Sequence, residues 1–231
     1  MADQSAREAV AWRLRDVAWA GVLAFVLFGG AAIAAALLGG ESASLASRHV
    51  RAGIVATSEL AFVGAAWAFS VRRPGTRWRD LGLRGFRPLA GCMGALFAFC
   101  LAFAVNLAWG LILQLLGWPG QPPLLPLFGQ GALGLTLALV GTGVIAPFSE
   151  EVFFRGFAFP ALRARFGLLA GIAVDAALFS LLHFTPTVLP PIFVMGVLFC
   201  LLYQHTRSIW PGALLHAAIN IVAVLVAYAL G

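Results

Sequence analysis

Lysine is absent from this 231-residue chain, acidic residues number only nine, and charged residues together make up 10% of it. With a mean hydropathy of +0.95, so little charge excludes a soluble globular domain. All 15 basic residues are arginine, which together with the alanine bias fits a high-GC bacterial genome. These arginines are confined to a few segments between apolar runs. The net charge of +6 is therefore read as setting topology and meeting anionic lipid, and no nucleic-acid partner is expected. Cysteine is nearly absent as well: Cys92, Cys100 and Cys200 all lie in apolar runs and form no CxxC pair. That excludes a disulfide framework and a thiolate metal site, and leaves them as buried small hydrophobes.

What is abundant is uncharged apolar sequence. Val17 to Leu38 is a 22-residue apolar run, too long for a signal-peptide core and followed by no convincing cleavage site, so it is read as a retained helix. A second helix is expected over Gly53 to Val71 and a third over Leu89 to Leu116, with the basic loop "RRPGTRWRDLGLRGFRP" between them. The uncharged stretch "GWPGQPPLLPLFGQG" follows, and its prolines and glycines argue against regular structure. From Ala132 one long helix is predicted to run to Gly167, kinked near Pro147. Leu168 to Phe184 and Pro191 to Gln204 are short for full spans, and Pro211 to Leu230 closes the chain. The fold class is therefore all-α: a polytopic transmembrane helical bundle of about seven or eight membrane helices, forming a single membrane domain over residues 1–231. An inside N-terminus places 13 arginines on one side and only Arg48 and Arg51 on the other, so a cytoplasmic N-terminus in a bacterial inner membrane is expected.

Within this apolar background, "APFSEEVFFRG" sets Glu150, Glu151 and Arg155 side by side. An ionisable group at mid-bilayer costs about 2.5–3.5 kcal/mol on insertion scales, so each needs a reason. Glu151 and Arg155 are one helical turn apart, and an ion pair between them reduces the cost of embedding both. Phe179 and His183 in "FSLLH", and His216 and Asn220 in "HAAIN", share the same spacing. Glu150 lies 17 residues before Gly167 and His183 lies 16 after it. An antiparallel hairpin turning at Gly167 therefore puts both about 25 Å from the turn. His216 reaches the same level if the Arg163 and Arg165 end of the long helix protrudes from the bilayer. A carboxylate facing imidazoles in a low-dielectric cavity suits proton chemistry: Glu150 activating a water, His183 orienting it, His216 and Asn220 donating to an oxyanion.

EExxxR as "EEVFFR", FxxxH as "FSLLH" and HxxxN as "HAAIN" together resemble the CPBP intramembrane proteases, the CAAX-protease and bacteriocin-processing group also called the Abi family. The resemblance covers residues 132–225, a type II CAAX prenyl endopeptidase-like catalytic core, and "DLGLRG" at 80–85 is similar to the family's loop. It implies Glu150 as the water-activating base, His183 as its partner, and His216 with Asn220 on the tetrahedral intermediate. Glu151, Arg155 and Phe179 would support the site. The family has been described both as metal-dependent and as glutamate-type. No HExxH occurs here, and the metal-free mechanism is favoured, yet Glu150, His183 and His216 could form a three-ligand zinc site. The partners implied are the lipid bilayer and a protein or peptide substrate with a membrane-anchored segment.

The remaining polar residues have plainer readings. Ser149 and Ser180 are small polar helix residues, and His49 and His205 solvated loop residues. Asn106 and Gln114 are expected to be interhelical contacts. Asp175 fixes the His183 tautomer or makes a structural hydrogen bond to another helix. Glu59 is an interhelical contact or part of the cavity wall. Two other classes fit intramembrane acids and histidines: a proton-coupled carrier, for which the paired repeats are missing, and a non-catalytic scaffold or immunity protein, which leaves the clustering unexplained.

Overall fold

In a computed structural model, residues 10–37, 45–120 and 125–230 are described, and among them the chain is helical with no strand. The helices are α1 (Leu14–Leu37), α2 (Leu45–Ser58), α3 (Leu60–Phe69), α4 (Pro88–Leu116), α5 (Leu125–Phe128), α6 (Gly131–Phe166), α7 (Leu168–Leu181), α8 (Leu189–Thr206) and α9 (Trp210–Leu230). Six stretches are long and apolar enough to cross a membrane, with α2 and α3 together supplying one, and α7 is a shorter apolar helix. The protein is a multi-pass membrane protein.

Packing is inverted relative to a water-soluble protein. Large apolar side chains such as Phe97, Phe103 and Leu115 on α4 point outward, while the contact between α1 and α3 is made by Ala20, Ala24, Ala65 and Ala66, all fully buried. Hydrocarbon tails are as apolar as leucine, so helices associate through close approach of small residues. Gly196 on α8 shows the limit: a Cβ there would meet the Ala176 Cα of α7 at 2.9 Å. Because α4 lies on the outside, Cys92 and Cys100 are exposed, contrary to the expectation of burial, and only Cys200 is buried. Gln114 is exposed on the same helix. Asn106 does bridge helices, through Met195 Sδ at 3.9 Å.

Three departures from the sequence reading have clear physical causes. The second span is broken at Glu59, where Phe62 N–H donates to the Glu59 carbonyl in a tight turn. The uncharged stretch after α4 holds one short helix, α5, and its residues 121–124 lie outside the described residues. In α6 the predicted irregularity at Pro147 takes the form of a π-helical segment, Gly141–Ile145, and a second one spans Val152–Ala158. Each ends just before a proline. Proline offers no N–H, and the preceding residue reaches back one further carbonyl: Ala146 N–H to Gly141, Phe159 N–H to Phe154. At 36 residues α6 is about 54 Å long, well beyond the roughly 30 Å hydrocarbon layer, so it tilts or protrudes. His49 lies within α2 and His205 is exposed in the last turn of α8, so neither is a loop residue.

Candidate active site

Glu150 and Glu151 are neighbours in sequence, and the helix turns them about 100° apart. Glu151 is fully buried and Arg155 Nη1 donates to its Oε1 at 2.9 Å. The guanidinium continues to Asp175, with Nε 3.6 Å from Oδ2, and Nη2 donates to the Gly196 carbonyl at 3.2 Å. Cys200 Sγ donates to the same Asp175 oxygen at 3.1 Å. Aromatic faces enclose the charge: the guanidinium carbon stands 4.3 Å from the Phe179 ring centre and 5.0 Å from that of Phe199. Asp175 is thus a partner of Arg155 across α6, α7 and α8, and among the described residues no hydrogen bond or ion pair joins it to His183. Gly212 on α9 completes the enclosure, since a Cβ there would lie 2.7 Å from Glu151 Oε2.

Glu150 faces the other way, into a cavity of about 240 Å³ that it lines with Glu59, His183, His216 and Asn220. His216 joins the two regions. Its Nε2 is 3.7 Å from Glu150 Oε2 and its Nδ1 is 3.9 Å from Glu151 Oε1, both longer than hydrogen bonds and short enough for a small shift or a bridging water. The ring stacks on Phe199 at 5.0 Å and meets Phe179 edge-on at 5.8 Å, which fixes its plane.

His183 sits in the turn after α7 rather than on the helix, with its N–H donating to the Ser180 carbonyl. Its Nδ1 lies 3.2 Å from the Phe179 carbonyl oxygen. A carbonyl only accepts, so Nδ1 carries the proton and Nε2 keeps a lone pair for the cavity. Among the described residues no hydrogen bond or ion pair joins His183 to Glu150; they meet across the cavity. Phe184, which follows, has a φ of 50°, an uncommon left-handed conformation for an aromatic residue, and packs on Phe25 of α1 at 6.1 Å at the cavity edge.

Asn220 is held by the proline defect in α6. Ala146 N–H is taken by Gly141 and Pro147 has no N–H, so the Thr142 carbonyl lacks a helical donor. Asn220 Nδ2 donates to it at 2.9 Å. The second amide hydrogen and Oδ1 are not needed there.

Every residue anticipated at the site is in one of these two regions: Glu150, His183, His216 and Asn220 on the cavity, Glu151, Arg155 and Phe179 in the layer behind it. Sequence reasoning missed Cys200, and left Asp175 and Glu59 open. A fully buried aspartate needs a cation, and Arg155 is the arginine set deepest in an apolar run, which is the signal that could have paired them. Glu59 is on the cavity wall and its Oε2 is buried without a hydrogen-bond partner among the described residues. Ser149 Oγ is similarly unpaired, while Ser180 Oγ donates to Ala177 O at 3.0 Å. Among the described residues, no three His, Cys, Asp or Glu side chains are grouped closely enough to hold one metal ion in this arrangement, and no step below runs through a metal.

The "DLGLRG" loop braces this assembly. The Leu81 carbonyl lies against Gly156 in the second π segment, and Ile209 N–H donates to the Gly82 carbonyl at 3.0 Å, tying the loop to the junction of α8 and α9. No curated protein and no solved structure matches the chain. Residues 132–222, the segment from the start of α6 to just past Asn220, match the family described as Type II CAAX prenyl endopeptidase Rce1-like, and this match supports the resemblance to the CPBP/CAAX proteases.

Proposed function

We propose that the protein is an intramembrane endopeptidase that hydrolyses a peptide bond in a membrane-anchored protein or peptide, using a glutamate-activated water. The observation that carries the reading is the convergence of Glu150, His183, His216 and Asn220 on one cavity within the family-matched segment. A water in that cavity gives one hydrogen to the Glu150 carboxylate and the other to His183 Nε2, leaving an oxygen lone pair for the scissile carbonyl. The tetrahedral oxyanion accepts from His216 and from the free amide hydrogen of Asn220. Glu150 then passes its proton to the leaving amine as the C–N bond breaks. Glu59 supplies a second carboxylate for that amine. The Arg155 network supports the wall that carries His216. The arginine distribution supports an N-terminus on the cytoplasmic side of a bacterial inner membrane.

Mass spectrometry of protein termini, in membrane and secreted fractions of cells carrying wild type or Glu150→Gln, tests the reading. A terminus present only with the wild type identifies substrate and cleavage site together. Identical termini, with both proteins stably expressed and candidate substrates present, contradict it. Retained cleavage after chelation of divalent metals supports the metal-free form; loss restored by zinc overturns it.

A further inference from the structure

A second cavity, of about 1000 Å³, lies at the arginine-rich end of the bundle and shares no residue with the one around Glu150. It opens where α6 and α8 end and the loop after α3 crosses beneath them. Among the described residues, Arg84, Arg163 and Arg207 line it together with one carboxylate, Asp80, which accepts from the Arg77 backbone N–H at 2.8 Å. Two of the arginines are clipped together across the chain. Arg84 Nε donates to the Arg207 carbonyl, and Ser208 Oγ donates to the Arg84 carbonyl at 2.6 Å. Arg207 is held in a left-handed conformation, φ 56°, as α8 ends. Like charges gathered in one concave surface favour an anion between them.

Two further groups point to a ligand. Thr76 Oγ1 and Gln204 Oε1 line the same cavity, are buried, and have no hydrogen-bond partner among the described residues. A Gln amide can present either its oxygen or its nitrogen. The lining also has an apolar part, with Phe159, Leu168 and Trp12, whose indole Nε1 donates to the Phe157 carbonyl at 2.8 Å. An amphipathic cavity with forked cations at span ends lies where lipid phosphates reside.

We propose that this cavity binds the phosphate-bearing headgroup of an anionic phospholipid. Arg84 and Arg207 contact the phosphate, Thr76 and Gln204 the polar headgroup, and the apolar wall the start of the acyl chains. A free phosphate would use the same arginines and leave the apolar wall bare.

Native mass spectrometry of the purified full chain, offered phosphatidylglycerol and phosphatidylcholine with identical acyl chains, reads the preference directly. The double variant Arg84→Ala/Arg207→Ala is expected to lower the preference for phosphatidylglycerol about tenfold or more, the scale of lost charge-assisted bonds. Arg165→Ala, which removes an equal charge outside the cavity, is expected to change it less than about twofold. Thr76→Val removes only a hydroxyl that has no hydrogen-bond partner among the described residues, and is expected to leave the unfolding midpoint unchanged and to weaken phosphatidylglycerol retention a few-fold. An unchanged preference in the double variant and in Thr76→Val overturns the proposal, as does an equal loss in Arg165→Ala. Competition by inorganic phosphate separates the sources: displacement of the lipid at submillimolar concentration assigns the site to free phosphate and overturns the lipid reading, while undiminished lipid retention supports it.

Discussion

Glu150 and Glu151 are adjacent on one helix and live in different media. Glu151 and Asp175 are enclosed with Cys200 by aromatic rings and each lies in ion-pair contact with Arg155, while Glu151 Oε2, Arg155 Nε and Asp175 Oδ1 have no hydrogen-bond partner among the described residues. Glu150 faces a cavity whose polar groups stand apart: His216 at 3.7 Å, His183 across the gap, Glu59 with an unpartnered oxygen. The first region holds its acids against a guanidinium, and the second leaves open space beside its carboxylates. A charged group inside a membrane can hold the structure or do chemistry, and an opposite charge in direct contact marks the first role, an adjoining cavity the second.

The largest effect is expected from breaking the ion-paired region. Arg155→Met strands Glu151 and Asp175 without a cation and should cost about 3–5 kcal/mol of stability, read as a lowered unfolding midpoint in detergent. Adding Glu151→Gln and Asp175→Asn to that variant should recover much of the loss, because what destabilises is the uncompensated charge. Full stability in Arg155→Met alone would remove the distinction between the two regions.

Breaking the open region should affect turnover with little change in unfolding. Asn220→Ala is expected to lower kcat about a hundredfold, the scale of one lost oxyanion donor, with a modest further cost because the Thr142 carbonyl loses its donor. A change in KM alone would place Asn220 in binding. Glu59→Gln is expected to reduce cleavage about a hundredfold, the low end for an assisting acid–base group, and to leave the unfolding midpoint unchanged. A loss of stability with normal turnover would make Glu59 a packing residue.

Much of this was legible in the sequence because periodicity is a local property. The apolar runs gave the spans, the one-turn spacing gave the Glu151–Arg155 pair, and counting from Gly167 gave the common level of Glu150 and His183. Contacts between distant segments were less accessible. Asp175 could be seen to need a partner, but its face toward Arg155 and Cys200 depends on how α7 rotates against α6 and α8, which no single-helix pattern encodes. The π segments were half visible: Pro147 was read as a defect, while Pro160, which has the same missing N–H, went unused. Cys92 and Cys100 were misjudged because a lipid-facing surface and a core have the same composition, so apolarity alone does not tell them apart.

The division of labour between two adjacent glutamates is the central claim, and one paired measurement tests it most directly: cleavage of an identified substrate and the unfolding midpoint, side by side, for Glu150→Gln and Glu151→Gln. Glu150→Gln should unfold as the wild type does and lose cleavage by about a thousandfold or more. Glu151→Gln should unfold earlier, with its folded fraction still cleaving. Retained cleavage in Glu150→Gln, or the same loss of stability in both variants, would contradict the account.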